Sequence, residues 1–81
     1  MLVKVRLFAR LREIAGASEL ARSVPAGATA RVLWDQLAVD FPALEDYGNV
    51  VSCAVNDDYA RLTATLNEGD EVAFLPPVSG G

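Results

Sequence analysis

Hydrophobic and polar positions alternate through Leu2-Val3-Lys4-Val5-Arg6-Leu7-Phe8, with Val3, Val5 and Leu7 on one face and Lys4, Arg6 and Phe8 on the other. That period of two predicts a strand with one wet face, and it puts Phe8 on the polar side at the strand's far end. Ala9 to Ala15 favours a short helical turn, which Gly16 can close from just beyond the C-cap. Ser18 to Val24 is a weaker strand. Leu20 and Val24 alternate only if Arg22 between them lies at a sheet edge or runs its stem over apolar surface. After the break at Pro25-Ala26-Gly27, Thr29 can cap a helix that reaches Asp40. Ala30, Leu33, Trp34, Leu37, Ala38 and Phe41 form a stripe at i, i+3, i+4 and i+7, the one clear amphipathic helix in the chain. Its polar face carries Arg31, Asp35, Gln36 and Asp40 without a basic bias, which favours packing on the chain's own sheet over a membrane surface.

Pro42 stops that helix, so Pro42 to Asn49 reads as a connecting loop. Val50 to Val55 is the next strand, with Val51, Cys53 and Val55 on its core face. Asn56-Asp57-Asp58 reads as a turn. Ala60 to Leu66 is irregular or a short strand, and Asn67-Glu68-Gly69-Asp70 turns the chain into a final strand, Glu71-Val72-Ala73-Phe74-Leu75. There Val72 and Phe74 match the core face, and Glu71, Ala73 and Leu75 the outer one. One long helix across one face of a mixed sheet satisfies this pattern. The expectation is an α+β fold in one domain over residues 1–81, with 76–81 as an extended C-terminal tail. If the first and last strands are parallel neighbours, Phe8 and Leu75 come together exposed on the wet face beside that tail, as an interaction patch.

Composition narrows the chemistry. A chain of 81 residues that is 52% hydrophobic has just enough core to fold without staples. It contains no run of about 18 apolar residues and no basic-plus-apolar leader, so neither a membrane span nor a signal peptide is expected, and the location expected is cytoplasmic. Cys53 is the single cysteine and histidine is absent, which removes the common metal, general-base and Cys-His arrangements. Nothing near Cys53 in sequence would lower its pKa, so it reads as a small buried hydrophobe. Asp57 and Asp58 have no further ligand spacing around them, and no metal site is expected. A net charge of −4, from seven basic and eleven acidic residues, argues against nucleic acid. It suits a basic protein partner, or serves solubility alone.

The carboxyl end is the candidate reactive group. Pro76 and Pro77 lack N–H donors and cannot continue a strand ladder, so they turn the chain off the sheet as a stiff segment through Val78 and Ser79. From Pro76 to Gly81 the backbone spans roughly 20 Å when extended, at about 3.3–3.6 Å per residue. Gly80 and Gly81 carry no Cβ and could thread a narrow channel, presenting a main-chain carboxylate to another protein's active site. The same stretch is also compatible with a frayed end.

Taken together, Leu7 to Gly16, Ala54-Val55-Asn56, and above all Gly69-Asp70-Glu71-Val72-Ala73-Phe74-Leu75-Pro76-Pro77-Val78-Ser79-Gly80-Gly81 resemble the small subunit of molybdopterin synthase, a ubiquitin-like sulfur carrier with the β-grasp fold. The resemblance covers the whole chain. A Gly-Gly end alone is shared with ubiquitin and the thiazole-pathway carrier; the acidic turn, strand, Pro-Pro and Ser-Gly-Gly in that order are more specific.

The resemblance implies that an activating enzyme of the E1 type uses ATP and magnesium to adenylate Gly81. Sulfur from a donor protein then replaces AMP. The thiocarboxylate would enter the large synthase subunit, within an expected heterotetramer, and give its sulfur to cyclic pyranopterin monophosphate. Phe8 and Leu75 match partner-facing positions of the family, Tyr59 falls in the same region, and Arg12 is a candidate polar contact or a merely solvated helix residue. On this reading the chain is a cosubstrate and subunit that binds no cofactor itself, with the catalytic residues on the large subunit. The alternatives are a sulfur carrier for thiamine or tRNA thiolation, a ubiquitin-like protein modifier, and a binding module with an inert tail.

Overall fold

A computed structural model describes residues 1–77; Val78, Ser79, Gly80 and Gly81 lie outside the described residues. The first strand, β1 (Leu2–Leu7), buries Val3, Val5 and Leu7 as its alternation dictates. A short helix, α1 (Ala9–Ala15), follows and ends at Gly16, whose φ of 72° supplies the left-handed C-terminal turn. Strand β2 (Glu19–Ser23) pairs antiparallel with β1 at the sheet edge. Arg22 is half-buried there, facing the Asp40 carboxylate and lying 6.0 Å from the Phe41 ring centroid, so its charge stays wet while its stem covers apolar surface.

Helix α2 (Ala30–Asp40) packs its apolar stripe on the sheet, burying Ala30, Leu33, Trp34, Leu37 and Ala38. Trp34 meets Phe74 of the sheet with ring centroids 5.0 Å apart. The orphan amides at the helix start find partners. Val32 N–H donates to Thr29 Oγ1 (3.3 Å), while Ala30 and Arg31 N–H donate to the carbonyls of Ala64 (3.0 Å) and Leu62 (2.8 Å). The stretch from Leu62 to Leu66 is thus tied to the start of the helix, through these carbonyls and a single antiparallel bridge between Thr29 and Thr65 that is completed by Leu66 N–H donating to Ala28 O (2.8 Å).

The remaining strands are β3 (Ser52–Val55), β4 (Asp58–Ala60) and β5 (Glu71–Leu75), giving the five-stranded order β2-β1-β5-β3-β4. Strands β1 and β5 are parallel, with Val5 opposite Val72 and Leu7 opposite Phe74. A mixed sheet with one helix across one face is the α+β, β-grasp arrangement that the resemblance implies.

Three boundaries differ from the sequence pattern. Pro42–Tyr47 forms a 3₁₀ helix instead of a loop: proline suits the first turn, and a three-residue period lets Leu44 reach the core. Strand β3 begins at Ser52 and not Val50, because the Val50 and Val51 amides both donate to Tyr47 O, at 3.0 and 2.8 Å. Asp58 lies in β4 opposite Val55, leaving Asn56-Asp57 as a two-residue hairpin turn with φ of 51° and 72°.

That turn is locked to β5. Asn56 Nδ2 donates to Asp70 Oδ1 (2.9 Å), Asn67 N–H donates to Asp70 Oδ2 (2.8 Å), and Glu71 N–H donates to Asn56 Oδ1 (3.0 Å). Asp70 is the one buried charged residue among those described, and each carboxylate oxygen is occupied. Replacing Asp70→Ala strands a buried amide and is expected to cost about 1–3 kcal/mol in urea unfolding, with Asp70→Asn costing less. Burial pushes the Cys53 thiol above its ordinary 9.0. The unfolded chain therefore loses this proton first, and stability is expected to fall as pH rises beyond 9.0, less steeply in Cys53→Ala than in the parent chain when both are unfolded across pH 8 to 10.

Candidate docking groove and tail root

Parallel pairing of β1 with β5 determines where the outer-face residues meet. Leu7 and Phe74 are opposite one another and point into the core, so the next residue on each strand, Phe8 and Leu75, emerges on the outer face. Ser52 is opposite Leu75 on β3, and Tyr59 is opposite Ala54 on β4. With Ala9, Pro76 and Pro77 these residues line a groove of about 500 Å³ at the point where the chain leaves the sheet. Ala9 holds φ at 49°, a left-handed conformation costing an L-residue about 1–2 kcal/mol, at the strand-to-helix corner directly after Phe8.

The structure brings Phe8, Leu75, Tyr59, Pro76 and Pro77 of the sequence-derived set together. Phe8 and Leu75 are half-buried and not fully exposed; the Arg6 guanidinium lies 5.2 Å from the Phe8 ring centroid and screens one face of it. Tyr59 is the open member, 81% exposed. Arg12 does not enter the groove. It lines a separate recess that shares Phe8 with the groove and also includes Arg6, Leu7, Ser18 and Glu19. Ala9 and Ser52 were missed in the sequence, where only strand register could have found them. Val78, Ser79, Gly80 and Gly81 fall outside the described residues.

The groove's lining contains no carboxylate, imidazole, amine or thiol. Its two hydroxyls, on Ser52 and Tyr59, sit among apolar side chains, a lining whose chemistry suits packing against another apolar surface. Cys53 is buried on the opposite face, donating to Ala60 O at 3.3 Å, and its raised pKa keeps it a thiol. Among the described residues no group of three or more His, Cys, Asp or Glu could hold a metal ion, and no helix is long and apolar enough to cross a membrane.

The ThiS family pattern matches residues 5–81. The molybdopterin synthase sulfur carrier subunit of Arabidopsis thaliana is 40% identical over 79 residues, covering 98% of this chain and 82% of that one. Among solved structures, small archaeal modifier protein 1 of Haloferax volcanii superposes with a TM-score of 0.85 at 35% identity, with all of both chains covered. A chain of the complex between subunits 1 and 2 of the molybdopterin-converting factor of Helicobacter pylori superposes with a TM-score of 0.68 at 26% identity, again over all of both chains. The sheet order, the helix across it and a match over nearly every residue agree: the chain belongs to the ThiS family and has its ubiquitin-like β-grasp fold.

Proposed function

We propose that this chain is the sulfur carrier subunit of a molybdopterin synthase, acting in the cytoplasm as a protein cosubstrate with no catalytic side chain of its own. The observation that carries the reading is the near full-length similarity to a molybdopterin synthase sulfur carrier subunit. The apolar groove at the tail root supports it, because a chain without acid, base or metal ligand there needs a partner to complete its chemistry.

In this reading the Gly81 carboxylate attacks the α-phosphorus of ATP on an E1-like adenylyltransferase that uses magnesium, and pyrophosphate leaves. A persulfide on a donor protein then forms a C–S bond as the C–O bond to AMP breaks, and a thiol attacks the donor-side sulfur of the resulting acyl disulfide, so that the S–S bond breaks to leave the thiocarboxylate and a disulfide. Phe8, Leu75 and Tyr59 dock the large synthase subunit in a heterotetramer, Pro76 and Pro77 orient the tail, and Val78, Ser79, Gly80 and Gly81 thread the large subunit's active site. There the sulfur passes to cyclic pyranopterin monophosphate through catalytic residues of the large subunit. Arg12 contributes a polar contact at the edge of this surface. The complex between subunits 1 and 2 in the Helicobacter pylori relative supports such a docking. The likeness to small archaeal modifier protein 1 favours a second reading, conjugation of Gly81 to lysines of other proteins.

Incubation with the cognate activating enzyme, ATP, magnesium and a sulfur source is expected to replace one carboxylate oxygen by sulfur at the C-terminal peptide alone, read by intact and peptide mass. Deleting Gly81, or adding a residue after it, should abolish sulfur transfer and leave the folded spectrum unchanged; sulfur found on Cys53 would sink the mechanism. A deletion strain should accumulate the pyranopterin precursor, whereas isopeptide adducts of Gly81 on other proteins would favour the modifier. Phe8→Ala is expected to weaken large-subunit binding by about 1–2 kcal/mol. Its stability loss should stay below the roughly 3–5 kcal/mol of a fully buried Phe, and calorimetry with urea unfolding checks both.

A further inference from the structure

Every strong nucleophile of this chain is missing, buried or remote from the tail root. Of the seven basic residues Lys4 is the one lysine, there is no histidine, and Cys53 is buried. The basic side chains nearest the groove are all arginines: Arg6 stacked on Phe8, Arg12 in the neighbouring recess, and Arg10 on the same short helix, paired with Glu13 at 3.6 Å. Lys4 sits opposite Glu71, four residues before Leu75 and hence about 13 Å back along the sheet at roughly 3.3 Å per residue. Its ammonium lies 4.0 Å from the Glu19 carboxylate. The Met1 amine is at the far end of β1 and donates to Val24 O at 2.7 Å.

We propose that this distribution protects an activated C-terminus from its own chain, with arginine holding positive charge beside the tail root at positions where lysine would capture the acyl group. The inference rests on Gly81 being activated as proposed above. An acyl adenylate or thioester is open to any unprotonated amine: nitrogen attacks the carbonyl carbon, a C–N bond forms, the bond to AMP or thiol breaks, and the amine proton departs. An amine tethered within reach acts at an effective concentration on the order of millimolar, enough to compete with a sulfur donor. A guanidinium stays protonated and does not attack, yet keeps the same charge and can still pair with a partner's carboxylates. Four residues span at most about 13–14 Å when extended, and α1 begins at Ala9, which lines the groove together with Pro77. Reaching Lys4 instead requires the chain to reverse and run back along the sheet, just after two residues of fixed φ.

The test uses an acyl donor made without any activating enzyme, so its outcome is separable from whether an enzyme adenylates Gly81. The full chain is released from an intein fusion as a C-terminal thioester and incubated at mildly alkaline pH, and adducts are read by intact mass and peptide mapping. Wild type and Lys4→Arg are expected to give hydrolysed chain alone. Arg12→Lys and Arg10→Lys, with folding checked by the near-ultraviolet dichroism of Trp34, should form a species lighter by one water. That species should carry a Gly81–lysine amide and stand on the order of tenfold or more above wild type. Folded Arg→Lys variants that match wild type would overturn the proposal. So would wild-type acylation of Lys4 or of the Met1 amine at the rate seen for the introduced lysines.

Discussion

The parallel pairing of β1 with β5 is the constraint from which the rest follows. Parallel neighbours cannot be joined by a tight turn, so everything between residues 7 and 71 is a crossover that must cover one face of the sheet and return. Helix α2 provides that cover, and Trp34 against Phe74 marks where it meets the central strand. The same pairing places Leu7 beside Phe74 in the core and therefore delivers Phe8 and Leu75 to the opposite face one residue later. A one-residue slip of β5 would turn Leu75 inward and Phe74 outward and dissolve the groove.

Polar groups hold the two ends of this crossover. Asp70, filled by Asn56 and Asn67, fixes where β5 begins relative to the β3–β4 hairpin. The carbonyls of Leu62 and Ala64 fix where α2 begins. The Asn56–Asp70 bond and the bonds to the helix start join segments distant in sequence, and all are made by groups that a hydrophobic pattern does not register. They explain why a chain with modest helix capping and a three-residue edge strand still has a defined register.

Alternation made β1 and β5 legible, and the Ala30 to Phe41 stripe made α2 legible, because each depends on burying one face. What the pattern missed was governed by backbone hydrogen bonds. Val50 and Val51 are strand-forming by composition, but Tyr47 O takes their amides. Asp58 reads as a turn residue, yet two left-handed residues before it already close the hairpin. At the candidate site, Phe8, Leu75, Pro76 and Pro77 were readable as side chains out of keeping with a wet face or a strand, whereas Tyr59 entered only through the resemblance. Ala9 and Ser52 are small, carry no such mark, and enter only through register. Arg12 entered through the resemblance alone, and it shares a recess with Phe8 outside the groove.

Strand β5 is hydrogen-bonded along both sides, to β1 and to β3, and its axis leads directly into Pro76. Tension applied at Pro76 therefore loads the two ladders along their length, so that their bonds share the load together instead of opening one after another. The folded body is anchored against force in the direction of β5, the direction in which the chain leaves the sheet.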